Sequence, residues 1–246
     1  VIVPEFRMRC SSLGQLMTDP KSIDPALLDE NTAIVARKKV KSDEEQAQLA
    51  ELFDYSLSAG AKTYLRNWAR EFMLDFHEII TSKYLEKGLI VENEAIALYN
   101  ARFFTNYVKN TERRQNDYIS GECDIFTGLP ANKIVDTKSS WSRATFPMTA
   151  EEGEDRDYEW QMRGYMWLWE AEQADVAYCL VDTPEELIRY EQRDLHEVDA
   201  LPEHLRVTVV HYRRDRALEQ KIMRKVIAAR QYLAAYIERI HAEHPL

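Results

Sequence analysis

Apolar positions along the chain keep one spacing early, change to another in the middle and return to the first near the end. Residues 20–43 carry Pro20 and Pro25 and no clear period, which predicts a long loop or arm. From Glu44 to about Lys83 the spacing is helical, with Leu49, Leu52 and Phe53 at turn-like intervals and Gly60 as an interruption. A second helix is expected from Val91 to Tyr107. On it Glu92, Ile96, Tyr99 and Phe103 share one face, so a carboxylate sits on an apolar stripe. Ile119–Phe126 and Lys133–Ser139 read as strands, and Gly128 and Pro130 between them supply turn chemistry, which predicts a hairpin. A polar loop, Trp141–Arg156, leads to a helix from Tyr158 to Gln173 that puts Tyr158, Gln161, Tyr165 and Trp169 on one face. Two further strands, Ala174–Val181 and Leu205–Tyr212, precede a closing helix from Ala217 to His241. This order predicts an α+β or mixed α/β class, with a central mostly antiparallel or mixed sheet flanked by helices. With no repeat and only seven glycines, one domain over 1–246 is expected, comprising an arm at 1–43 and a core at 44–246.

The hairpin carries the candidate chemistry. Side chains alternate along a strand, so Asp136 and Lys138 point to one face, and hairpin pairing can bring Asp124 opposite them. Charges that follow the apolar lead-in Ile134-Val135 demand an explanation. Clustered carboxylates suit Mg²⁺, and two divalent ions about 4 Å apart can neutralise both the attacking and the leaving oxygen of a phosphodiester. Lys138 would then orient or deprotonate the attacking water, or stabilise the pentavalent phosphate; the residues leave these roles open. Gln161 and Tyr165 lie one turn apart on the helix expected to cover this sheet. The plain structural alternatives are an exposed salt-bridged strand, a buried ion pair at Glu92 and a core hydrogen-bonding glutamine at Gln161.

Four blocks in order resemble the PD-(D/E)XK nucleases, and more narrowly the phage lambda exonuclease group of viral recombination. Gly88-Leu89-Ile90-Val91-Glu92-Asn93-Glu94-Ala95 resembles that family's helix-borne metal glutamate. Gly121-Glu122-Cys123-Asp124 resembles its first metal aspartate, and Val135-Asp136-Thr137-Lys138 its (D/E)xK strand, with Asp in place of Glu. Tyr158-Glu159-Trp160-Gln161, continuing through Met166-Trp167, is similar to the helix whose glutamine assists the site. The resemblance covers Gly88 to about Trp169, a third of the chain. It implies a Mg²⁺-dependent exonuclease, with Mn²⁺ as a substitute, that digests double-stranded DNA ends 5′ to 3′. Glu92, Asp124, Asp136 and the Thr137 carbonyl would hold two ions, with Lys138 and Gln161 completing the catalytic set. It also implies a single-strand annealing protein as partner and DNA contacts near the N-terminus, for which Arg7, Arg9, Ser11, Ser12 and Tyr165 are the candidates. Ser11 and Ser12 read equally well as a helix N-cap before Leu13–Met17. An endonuclease on the same core and a non-catalytic DNA-binding or assembly protein remain open.

Charge then complicates the picture. The chain carries a net charge of −10, from 32 basic and 42 acidic residues, whereas affinity for phosphate rests largely on Lys and Arg. A basic lining inside an acidic exterior resolves the conflict. Arg37–Lys41, Arg113/Arg114 and Arg213–Arg216 are the candidate clusters, and a homotrimeric ring threaded by DNA is the expected assembly. Trp160, Trp167 and Trp169, or the closing helix, are the candidate ring anchors, with ordinary core as the alternative for the tryptophans. Cys10, Cys123 and Cys179 are odd in number and scattered, which argues for reduced thiols rather than disulfides or a zinc site. The opening VIVPEF has neither basic start nor apolar stretch, so a cytosolic address, in the bacterial host if phage-encoded, is the expectation.

Overall fold

The computed structural model describes residues 6–245. In chain order the elements are β1 (Met8–Arg9), α1 (Leu13–Met17), α2 (Glu30–Arg37), α3 (Asp43–Asp54), α4 (Ala59–Leu74), α5 (Lys83–Ile90) and α6 (Glu92–Phe103). There follow β2 (Arg114–Gln115), β3 (Ile119–Gly121), β4 (Ile125–Phe126), β5 (Lys133–Ser139), α7 (Arg156–Trp169), β6 (Gln173–Cys179), α8 (Glu185–Ile188), β7 (Val207–Arg213) and α9 (Arg216–Glu243). Small polar side chains start many of the helices by accepting an otherwise unpaired backbone N–H. Asp29 caps α2, Ser58 caps α4, Ser82 caps α5, Asp155 caps α7 and Asp215 caps α9, while Ser42 and Glu45 form a capping box on α3.

The principal sheet runs β4-β5-β6-β7, with β5 and β6 parallel and the two outer pairs antiparallel. α7 makes the crossover that a parallel pair requires. Alternation along the strands gives the sheet two apolar faces. Ile134, Ala174, Val176 and Val210 pack with Trp160, Tyr165 and Trp169 of α7 and with Ile222 and Val226 of α9. Val135, Ala177 and Cys179 pack on the other side with Ala95, Ile96, Leu98 and Tyr99 of α6. The result is a mixed α/β fold with helices on both faces of a mixed sheet, as the order of elements predicts. No helix among the described residues is long and apolar enough to cross a membrane.

The structure corrects several local expectations. The segment expected to be an arm contains the fully buried Met8, Cys10, Leu13, Leu16 and Met17, which belong to the same core as α7 and α9. A five-residue helix is too short for its period to register in sequence, yet it packs tightly. A Cβ added at Gly164 of α7 would fall 2.6 Å from a Leu13 methyl and 2.8 Å from Cys10 Sγ. Residues 30–37, expected to be loop, form α2 once Asp29 accepts the Thr32 N–H. The early helical stretch breaks at Tyr55–Ser58 rather than at Gly60, which lies in the first turn of α4. The helix expected to reach Tyr107 ends at Phe103, where Phe104 turns left-handed at φ 54°. The strand expected over 119–126 splits into β3 and β4, which join different sheets. Of the tryptophans read as either ring anchors or core, Trp160 and Trp169 are core, and the half-buried Trp167 stacks on Tyr118 with centroids 5.8 Å apart. Each of the three basic clusters has an engaged member: Lys38 pairs with Glu45, Arg114 with Glu112, and Arg214 with Glu219 and Glu172.

Candidate active site

The break between β3 and β4 builds the site. Asp124 precedes β4 and leaves the backbone ladder; its Oδ2 instead accepts the Thr137 N–H at 2.7 Å and the Thr137 hydroxyl at 2.8 Å. A strand residue directs its N–H and C=O to the same edge, so the Thr137 carbonyl shares the side on which Asp124 sits. The β4–β5 register, Ile125 opposite Val135, extends to place Asp124 opposite Asp136. Asp136 is 2% exposed and lies on the face covered by α7. Its Oδ2 stands 2.6 Å from the Lys138 ammonium, yet that buried oxygen accepts no hydrogen bond of good geometry.

α7 supplies the other wall. Lys138 Nζ donates to Gln161 Oε1 at 3.3 Å, and Gln161 Nε2 donates to the Tyr165 hydroxyl at 3.0 Å, which fixes the amide orientation. The same ammonium lies 4.5 Å from the centre of the Tyr158 ring. Asp124, Asp136, Thr137, Lys138, Gln161 and Tyr165 are thus connected through short contacts.

Electrostatics within this group are strained. Burial, reinforced by the Asp136 charge, pushes the Asp124 carboxyl up to about 7 against the lowering effect of the Thr137 hydrogen bonds. Burial works to lower Lys138, but the acidic groups around it, Asp136 first, outweigh that and hold the ammonium above its ordinary value. Two carboxylates are thus crowded around a single ammonium, with one buried oxygen short of a well-aligned donor. That donor set fits a hard divalent cation, which binds oxygen and relieves the repulsion.

Glu92 stands apart. Among the described residues no three Asp, Glu, His or Cys side chains gather as a metal cage, and Glu92, at the start of α6, is ion-paired with Lys109. The expected trio of carboxylates is thus not gathered into one cluster, and the third member, Glu92, is paired with an ammonium. Neither Lys109 nor this pairing is marked by any motif in the sequence.

Beside the centre lies a polar pocket of about 200 Å³ lined by Arg9, Cys10, Ser11, Arg113, Ser120, Gly121, Glu122 and Tyr165. It explains Gly121, where a Cβ would fall 2.6 Å from the Tyr165 ring and 2.9 Å from Cys10 Sγ. Of the N-terminal candidates, Arg9 and Ser11 line this pocket and Arg7 and Ser12 do not. Ser12 gives α1 no side-chain cap and bonds instead to the Tyr64 hydroxyl. Arg113 was visible in sequence as half of a basic pair. Ser120 and Glu122 carried no signal, because only the pairing of β1 with β3 brings them to Arg9.

The whole chain aligns with a solved structure of a phage-related exonuclease from Haemophilus somnus 129PT. Identity is 31%, the TM-score is 0.78, and the match covers 96% of this chain and 97% of that one. The chain belongs to this family of phage-related, lambda-exonuclease-like nucleases. The alkaline exonuclease LHK-Exo from Laribacter hongkongensis, solved alone and with dAMP, shares the fold at 16% and 17% identity. Its TM-scores are 0.56 and 0.57, and the matches cover 96% of this chain and 92% of LHK-Exo. No family model and no curated protein matches the sequence. Asp136 is 2% exposed and the Lys138 side chain 23%, so an exposed salt-bridged strand does not describe them.

Proposed function

We propose that this protein is a divalent-cation-dependent deoxyribonuclease that digests double-stranded DNA from its ends, 5′ to 3′, leaving single strands for a recombination partner that anneals them. The observation that carries the reading is the pairing of the half-buried Asp124 and the buried Asp136 beside one ammonium, Lys138, which stands 2.6 Å from Asp136 Oδ2 without good hydrogen-bond geometry. Asp124, Asp136, Glu92 and the Thr137 carbonyl are the residues that would hold Mg²⁺, or Mn²⁺ in its place. When bound, two such ions would neutralise charge on the attacking and leaving oxygens of the phosphodiester.

The residues of the chain divide the remaining work. Thr137 holds the Asp124 carboxylate by two hydrogen bonds and so fixes its direction. Lys138, kept protonated by Asp136, presents a positive charge to the scissile phosphate or orients the attacking water. Gln161, anchored by Tyr165, holds Lys138 from the helix side. The neighbouring pocket, with Arg9, Arg113, Ser11 and Ser120, has the chemistry of a terminal-phosphate site, and its small volume admits an end rather than a continuing duplex. That pocket favours an exonuclease over an endonuclease on the same core. A closed homo-oligomeric ring, and an address in the cytoplasm where DNA is met, complete the proposal.

The test is digestion of linear duplexes with and without a 5′-phosphate, beside a closed circle, in Mg²⁺ and in EDTA. Cleavage of the phosphorylated linear duplex alone, and only with Mg²⁺, supports the reading. Cutting of the circle moves it to an endonuclease.

A further inference from the structure

We propose that Lys109 is a charge latch on the active site: it neutralises Glu92 while no divalent cation is held, and transfers to a backbone phosphate of the DNA once Glu92 turns to the cation. This rests on the metal-site reading above and adds a residue and a sequence of contacts to it. Lys109 is ion-paired with Glu92, and Asp124 and Glu122 also act on its ammonium, so a single positive charge faces three acids at the edge of the site.

The backbone beneath Lys109 is fixed while its side chain is not. Asn100 on α6 accepts the Tyr107 N–H at 2.9 Å and donates to the Tyr107 carbonyl at 2.8 Å. Asn110 donates its backbone N–H to the Asp124 carbonyl at 2.6 Å and its side-chain amide to the Cys123 carbonyl at 3.0 Å. These two asparagines hold the segment beside the first metal aspartate, with Lys109 between them. The Lys109 side chain itself remains 41% exposed, against 21% for Glu92. An ion pair this open to water is weak and readily exchanged. A doubly charged cation with two carboxylates already waiting competes well for Glu92, and a lysine on a flexible four-carbon stem then has its charge free. Facing a substrate that carries one negative charge per phosphate, that ammonium gains a new partner where the substrate must lie.

The two states make separable predictions for Lys109→Met, which keeps the apolar stem. Ca²⁺ binding to the DNA-free protein, followed by calorimetry, should tighten roughly fivefold, the scale of a half-exposed ion pair. The gain should vanish in a Glu92→Gln background, which separates a direct latch from a general change of charge. Binding of a short DNA duplex should lose about 0.9 from its logarithmic salt slope in Ca²⁺, one phosphate contact, and nothing in EDTA. Equal Ca²⁺ affinity in wild type and Lys109→Met, or an unchanged salt slope in Ca²⁺, overturns the latch. Loss of Ca²⁺ binding in Asp124→Asn with no dependence on Lys109 overturns the latch while leaving the metal reading intact. A wild-type protein that binds no Ca²⁺ removes both.

Discussion

Asp136 and Asp175 sit on neighbouring parallel strands, each 2% exposed, and each faces a lysine from β5 and a polar residue from a covering helix. On the α6 face Asp175 is saturated: Lys133 reaches it at 2.6 Å, His211 Nδ1 at 2.7 Å and the Tyr99 hydroxyl at 3.3 Å. On the α7 face Asp136 is paired with Lys138, whose ammonium lies 2.6 Å from Oδ2 without good hydrogen-bond geometry. A buried carboxylate is tolerated when its lone pairs are met inside the protein, and one left short signals a ligand from outside. Burial and ion pairing are alike at the two places. Under the proposed function, saturation is what separates the structural aspartate from the functional one.

The comparison can be broken in either direction. Removing Asp175 leaves Lys133 half-buried without its carboxylate, so Asp175→Ala should cost about 3 kcal/mol in denaturant unfolding, while activity per folded molecule stays near wild type. A stable but inactive Asp175→Ala would assign the chemistry to the wrong face. Asp136→Asn and Lys138→Ala should each lower the cleavage rate per folded molecule at least about 10²-fold. Near-normal activity in either purified variant removes the site.

Mg²⁺ should raise wild-type stability, by roughly 2.7 kcal/mol at 100 times its dissociation constant. Asp124→Asn should lose that response and Asp175→Asn should keep it. Melting indifferent to Mg²⁺, Mn²⁺ and Ca²⁺ alike would contradict the metal-site reading.

The pH dependence follows from Asp124, whose folded carboxyl titrates near 7 instead of the usual acid range. The folded state binds the extra proton, so this group favours folding at low pH, and its contribution is lost as pH rises from about 4 through about 7. Without metal, wild-type stability should carry that downward component, and Asp124→Asn should lack it. The smallest effect is expected at Tyr165→Phe, which deletes one hydrogen bond to Gln161 and should slow cleavage several-fold, about 1 kcal/mol.

The parts legible in sequence were those with length and period. Lys133–Ser139 forms a strand with the expected ends, α7 and α9 fall within two to four residues of their predicted bounds, and alternation along β5 correctly put Asp136 and Lys138 on one face. What sequence concealed was short or relational. α1 has five residues and β1 two, too few for a period, yet they carry the N-terminal segment into the core and Arg9 and Ser11 to the pocket. The break at Glu122–Asp124 was hidden because Asp124 leaves the ladder for a side-chain bond that exists only after β5 is in place. Glu92 was legible as a carboxylate on an apolar stripe, but its partner lies 17 positions away in a segment without periodicity. The tryptophans of α7 read from sequence as either core or interface, and Trp160 and Trp169 prove to be core.

The central claim is that the carboxylate pair beside Lys138 is the hydrolytic centre. It is tested most directly by incubating a linear, 5′-phosphorylated duplex with wild type, Asp136→Asn and Asp175→Asn in Mg²⁺, each matched for folded protein and each repeated in EDTA. Rapid loss of duplex with wild type and Asp175→Asn, and none with Asp136→Asn or in any EDTA arm, is the predicted result. Mg²⁺-independent digestion, or digestion by Asp136→Asn at the wild-type rate, would contradict it.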